Sequence, residues 1–163
     1  MLNLSHFSVF IWAKGQYENC IIGQYDTGLS DRGWLIGTDQ SNEKRMRVLL
    51  SSTGAYGPAT SKDYLTTEEV FDNSWHLCGF SWDSGTLKLS VDGLEQAVTK
   101  TYDASFTSIF KSSSDIIVGA RIISNVPSGF YTGQVGEYYI YKRTVSQSEG
   151  SILYNDTRKF YGK

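Results

Sequence analysis

Apolar residues recur along the chain in short runs of period two, separated by clusters of Gly, Ser, Asp and Asn, and no helical periodicity is sustained before the C-terminus. The segment His6 to Lys14 is apolar on both faces, with Phe7, Val9 and Ile11 on one and Phe10 and Trp12 on the other. Such a pattern predicts a strand sandwiched inside the molecule. Shorter strands are predicted over Cys20 to Tyr25, Gly33 to Thr38 and Arg47 to Ser52. From Gly54 to Ser74 the Gly, Ser, Thr and acidic composition reads as a long connection holding one strand. Trp75 to Trp82, the turn Asp83-Ser84-Gly85 and the alternating segment Thr86 to Val91 make a hairpin in which Leu87, Leu89 and Val91 share a face. Asp92-Gly93 is a favoured turn dipeptide that opens a strand over Leu94 to Val98. Asp115 to Ala120 and Gly133 to Tyr141 complete a set of about nine strands. Ser146-Gln147-Ser148-Glu149 has capping-box spacing and predicts one short helix over roughly residues 147 to 155.

Many antiparallel strands in one chain must close their edges, and an all-β, two-sheet antiparallel β-sandwich of the jelly-roll type, with one short C-terminal helix, does so. A length of 163 residues suits one domain over 1–163 with a single core. Composition strengthens that picture: 8 Phe, 11 Tyr and 4 Trp suit pleated, half-buried surfaces, while 16 Gly against 2 Pro suit tight turns. The formal charge of −2 lacks the footprint of a duplex-binding protein, so no nucleic acid is expected as partner. The basic cluster Lys44-Arg45-Met46-Arg47 reads as a solvated strand entrance. No apolar run approaches the ~20 residues of a membrane-spanning helix, so no membrane insertion is expected. Met1 to Ser5 show no signal peptide. Cys78 shares the parity of Phe80 and Trp82 and is expected as a buried free thiol, with a bridge to Cys20 the less favoured alternative. Neither the two His nor the two Cys have metal-ligand spacing.

The order of these segments resembles the laminin G-like branch of the concanavalin A-like lectin/glucanase jelly rolls. The residues that carry the resemblance are Phe7 to Lys14, Ile21 to Asp26, Ser74 to Asp83 running on to Val91-Asp92-Gly93, Ile117-Val118-Gly119, Gly133 to Tyr141, and Val145 to Glu149 leading to Asn155. The resemblance covers nearly the whole chain. It implies one or two strands ahead of the Phe7 segment, where this chain starts almost at once, so that edge is expected to be missing, rearranged or borrowed. It also implies a structural calcium held by an acidic residue at the position of Gly136, which offers no carboxylate here. A cofactor is therefore not expected, although Asp26 and Asp39 could still supply oxygens to such an ion.

Because this fold carries both enzymes and binding proteins, function is read from residues. Glycosidic hydrolysis usually needs two facing carboxylates, and no acidic ladder occurs on any strand; Glu68, Glu69 and Asp72 read as an acidic surface loop. Tyr139, Tyr141, Lys142 and Arg143 are the residue types of an eliminative lyase but read better as a strand end. His76 reads as a packing and hydrogen-bonding residue, and no G-x-S-x-G nucleophile motif is present. The sequons Asn3-Leu4-Ser5 and Asn155-Asp156-Thr157 read as chance matches.

Binding is the better class. Sugar rings stack on aromatics and pair their hydroxyls with planar polar side chains, a combination found at Tyr25, Asp26, Arg32 and Trp34 around a flexible turn. Arg121, Asn125 and Tyr131 form a second candidate, and Tyr56 and Tyr64 weaker ones. The resemblance implies that both main segments lie on rim loops. The sequence thus points to a non-catalytic lectin-like module for a glycan or glycoprotein surface, part of a larger extracellular or virion-associated protein. The alternatives are an assembly or decoration module of a viral particle, homo-oligomeric or tied to neighbouring domains, and, less favoured, a polysaccharide-active enzyme.

Overall fold

A computed structural model describes residues 4–15, 20–38 and 44–163. The strands are, in order, β1 (His6–Lys14), β2 (Cys20–Asp26), β3 (Asp31–Thr38), β4 (Met46–Gly54), β5 (Ser61–Thr66), β6 (Trp75–Asp83) and β7 (Thr86–Val91). They continue with β8 (Leu94–Glu95), β9 (Val98–Asp103), β10 (Ile117–Val118), β11 (Arg121–Ile123), β12 (Val126–Ser128) and β13 (Gln134–Tyr141). Helix α1 (Gln147–Thr157) and a 3₁₀ turn (Arg158–Tyr161) follow. A smaller sheet has the order β13-β1-β6-β7-β8, and a larger one β12-β11-β2-β3-β4-β5-β9 with β10 also on β2. The all-β sandwich with one short C-terminal helix is present as expected, and its ladders are antiparallel except for one parallel bridge from Ile122 to Asp26.

Two expected strands differ. Leu94 to Val98 is not one strand: Leu94 and Glu95 pair with β7, and the chain then crosses so that Val98 pairs with Thr66 in the other sheet. The Asp115 to Ala120 segment shortens to two residues because Gly119 takes φ +79 and turns the chain out of the ladder. Outside the expected strands lie β9, six mostly polar and mostly exposed residues without an apolar alternation, and β11 and β12, ladders of three residues that are too short to show a period.

The core explains the double apolar pattern of β1. Phe7, Val9 and Ile11 point between the sheets, where they join Trp34, Ile36, Val48, Leu50, Phe80 and Trp82. Phe10 and Trp12 point outward, where Val145 and the partly buried Leu153, Tyr154 and Tyr161 cover them. Trp12 stacks on Tyr161 with ring centres 4.2 Å apart and donates from Nε1 to Thr157 Oγ1 at 3.0 Å. The outer face of the smaller sheet is therefore occupied by the helix and the turn after it. The helix starts as the sequence predicts, with the Glu149 amide donating to Ser146 Oγ and the Ser146 amide to Glu149 Oε2. Cys20 and Cys78 are both buried free thiols.

Gly136 has a packing reason. A β-carbon there would lie 2.6 Å from Cε1 of Tyr161, so the glycine admits the ring that covers Trp12. Gly136→Ala is expected to cost about 1–3 kcal/mol through displacement of Tyr161, read as a lowered thermal midpoint with altered Trp fluorescence; an unchanged midpoint and spectrum would contradict this packing.

Candidate functional site

Alternation in the larger sheet sorts its side chains. Trp34, Ile36, Met46, Val48, Leu50 and Tyr64 face the core. Cys20, Tyr25, Leu35 and Leu49 form a separate apolar cluster on the outer face. Arg47 and Asp63, one residue out of phase with core positions, belong to that outer face. Arg47 donates from Nε to Asp63 Oδ1 at 2.8 Å and from Nη2 to Oδ2 at 2.6 Å, a bidentate pair. Tyr56 donates its hydroxyl to Asp63 Oδ2 at 2.7 Å, lies under the Arg47 guanidinium and meets the Tyr102 ring edge-on at 5.2 Å. Burial first, and then the bond to Asp63, pushes the Tyr56 phenol up to about 12, so it stays a neutral donor. Arg47 is thus not the solvated residue expected of the basic cluster: its side chain is 18% exposed and anchored on a carboxylate that is fully enclosed.

Beside this pair, Cys20, Tyr25, Leu35, Gly37, Thr38, Arg47 and Arg121 line a cavity of about 50 Å³. Arg32 lies over the Tyr25 ring and donates to the carbonyl oxygens of Thr27 at 2.7 Å and Gly54 at 3.3 Å.

The two segments singled out in the sequence meet here. Asp26 Oδ1 accepts the amides of Gly28 and Ser124 at 2.8 Å and of Leu29 at 3.3 Å, and Oδ2 accepts that of Asn125 at 2.8 Å. One carboxylate therefore ties the turn between β2 and β3 to the turn between β11 and β12. Ser124 and Asn125 both have positive φ, a conformation Asn tolerates well, so Asn125 is placed by its backbone. Gly28 has no room for a side chain, since a β-carbon would sit 2.6 Å from the Ser124 nitrogen. Tyr25, Asp26, Arg32, Arg121 and Asn125 are brought to one end of the larger sheet.

Trp34 and Tyr131 are not. Trp34 is fully buried, packed edge-on against Phe7 at 5.4 Å, so no sugar can reach its faces. Tyr131 is a core residue whose hydroxyl would touch any β-carbon at Gly15. Tyr64 also faces inward, with its hydroxyl on Asp103. Asp26 is unsuited to a cation, because it is buried with both oxygens turned toward N–H donors. The position at Gly136 is filled by Tyr161, and Asp39 lies outside the described residues.

The residues considered for catalysis are engaged elsewhere. Asp63 is the one carboxylate on the outer face among the described strands of the larger sheet, since Asp103 bonds the core-facing Tyr64 and Asp31 holds the Ser113 and Ser114 amides. His76 bridges Asp92 at 2.8 Å and Asp72 at 3.1 Å, and Asp92 also accepts the Leu77 amide. Burial pulls its pKa down, but the two carboxylates outweigh burial and leave it above the usual value. Tyr139 donates to Glu137, and Arg143 pairs with Glu149.

The family described as the concanavalin A-like lectin/glucanases superfamily matches residues 2–149. No curated protein matches the chain at a significant level. Among solved structures, the heptameric SAP-like pentraxin of Limulus polyphemus aligns with TM-score 0.67 at 10% identity, over 94% of this chain and 71% of that one. A putative carbohydrate-binding protein of Bacteroides ovatus aligns with TM-score 0.62 at 17% identity, over 91% of this chain and 40% of its own, so this chain spans less than half of it. Domain 4 of AbnA, an extracellular arabinanase of Geobacillus stearothermophilus solved with arabinotriose, aligns with TM-score 0.57 at 17% identity, over 94% of this chain and 68% of that one.

Burial pushes the Asp26 carboxyl up, yet the four amides outweigh burial and hold it below the ordinary value. A depressed carboxyl stabilises the fold above its unfolded pKa of ~3.9 and loses that contribution as pH falls through the folded value. Asp26→Asn places an NH₂ group among N–H donors and is expected to cost about 3 kcal/mol at pH 7. The difference from the parent should shrink in denaturant titrations below about pH 4; a pH-independent difference would contradict the amide clamp.

Proposed function

The chain belongs to the concanavalin A-like lectin/glucanases superfamily, and from that premise we propose that it is a non-catalytic binding module whose ligand is a glycan or a glycosylated surface. The outer face of the larger sheet is the binding face. The observation that carries this reading is the fixed group Tyr56, Arg47 and Asp63: a 41% exposed aromatic ring held by a buried ion pair beside Tyr102 and a polar cavity. A sugar needs an aromatic face for its C–H surface and planar polar groups for its hydroxyls, and both are held in place here before binding. A single carboxylate, already committed to Arg47 and Tyr56, does not provide the acid and base of glycosidic hydrolysis. The two relatives described as carbohydrate-binding or solved with a trisaccharide support the same class. The module belongs, in this reading, to a larger extracellular or virion-associated protein. Among the described residues no helix is long and apolar enough to cross a membrane.

An assembly role has its own observation. The edge strand β13 shows Val135 and Tyr138, and the C-terminal region shows Ile152 and Phe160, all between 39% and 71% exposed. A stable symmetric oligomer in solution without affinity for any polysaccharide would favour that role over glycan binding.

On a polysaccharide panel, the intact chain is expected to bind at least one polymer without releasing product, and Tyr56→Ala to weaken that binding by up to about tenfold. Unchanged binding by a folded Tyr56→Ala variant, or product release, would contradict the proposal.

A further inference from the structure

Among its described residues the outer face of the larger sheet carries more arginine than carboxylate, in a chain whose net charge is −2. It carries the guanidinium groups of Arg32, Arg47 and Arg121, against the carboxylate of Asp63. Arg47 is neutralised by Asp63. Arg32 bonds neutral carbonyl oxygens. Arg121 has no hydrogen-bond or ion-pair partner among the described residues, and its Nε is buried. A buried donor left unpaired costs about 1–3 kcal/mol, and more when charged, so an anionic partner at this point gains what the free protein forgoes.

Thr38 stands at the end of the same cavity, but its side chain keeps the core-facing parity of Trp34 and Ile36 and pairs with the core-facing Met46. Tyr25, Leu35, Gly37 and Cys20 complete the lining with Arg47. Burial drives the Cys20 thiol up to about 12, so it stays neutral and gives Arg121 no counter-ion. Nη1 of Arg47 takes no part in the bonds to Asp63 and Tyr56. The cavity therefore offers positive charge, and among the described residues no carboxylate lines it.

Size decides what enters. Sites that enclose a whole small molecule run to about 300–1,000 Å³. About 50 Å³ exceeds what one water needs and is far too small for a pyranose ring. A substituent fits while its ring stays outside, near Tyr56. The planar fork of a guanidinium matches a carboxylate, and partial burial of Arg121 Nε strengthens the pairing.

We propose that the cavity between β2, β3, β4 and β11 is a carboxylate-binding site, in which Arg121, beside Arg47, receives the acid group of an acidic sugar lying across the outer face. This rests on the glycan-binding reading and narrows it from glycans in general to those bearing a carboxylate.

The test measures affinity of the full chain for polygalacturonate, for the same polymer after carboxyl reduction, and for dextran sulfate, each at low and high salt. Polygalacturonate is expected to bind roughly tenfold more tightly than its reduced form, with the advantage reduced by salt. Arg121→Gln should erase most of that advantage while leaving the thermal midpoint equal or higher, because it removes an unpaired, partly buried charge. Should Arg121→Gln fail to fold, Arg121→Lys, which keeps the charge but not the planar fork, still decides by losing most of the same advantage. Equal binding of the two polygalacturonate forms would overturn the carboxylate site and leave glycan binding standing. Tighter binding of dextran sulfate than of polygalacturonate would overturn the choice of carboxylate, and binding of none of the polymers would overturn both readings.

Discussion

Phe7, Val9 and Ile11 of β1 fill the space between the sheets, while Phe10 and Trp12 of the same strand are covered from outside by α1 and the turn after it. Burying one strand on both faces commits the outer surface of the smaller sheet to the C-terminal segment. Truncating a buried aromatic of this size costs about 3–5 kcal/mol, and Trp12 adds a hydrogen bond to Thr157, so that cover is part of the fold. The face left for a ligand is then the other one, the outside of the larger sheet.

What that face offers follows from charge as much as from shape. Asp63 is enclosed and must be paired, and it is paired by Arg47 and Tyr56, which makes a rigid platform from three side chains that would otherwise be mobile. Asp26 does for the backbone what Asp63 does for the side chains: four amides from two turns converge on it, and so Arg121, at the start of β11, is held beside Tyr25. The two aspartates are structural, and in the proposed complex Arg121 is the group left for recognition. In the proposed complex specificity comes from the unpaired, buried Nε of Arg121, which rewards the ligand that satisfies it and penalises one that does not.

The sandwich, the hairpin at Asp83-Ser84-Gly85 and the capped helix were legible in the sequence because each rests on a local signal: period two, a turn sequence, a Ser and Glu three apart. The burial of β1 on both faces was legible for the same reason. The partition of the aromatics was not. Trp34 and Tyr25 sit near each other in sequence, yet the bulge between Gln24 and Tyr25 and the alternation of β3 send Trp34 to the core and Tyr25 to the outer face. Arg47 carried a readable hint, since it alternates with Met46 and Val48 and stands beside an outward Leu49, but its partner Asp63 lies across a strand pair whose register depends on the connection between β4 and β5. The meeting of Asp26 with Ser124 and Asn125 spans nearly a hundred residues and has no local signature.

In the proposed complex an acidic glycan lies across the outer face of the larger sheet with its carboxylate at Arg121. Backbone amide shifts of isotope-labelled protein, followed by NMR during titration with galacturonate oligomers, test it most directly. The largest shifts are expected on Tyr25, Gly37, Thr38, Arg47 and Arg121, with those of α1 unmoved. Shifts concentrated on β13 and α1, with the outer face of the larger sheet unperturbed, would contradict it.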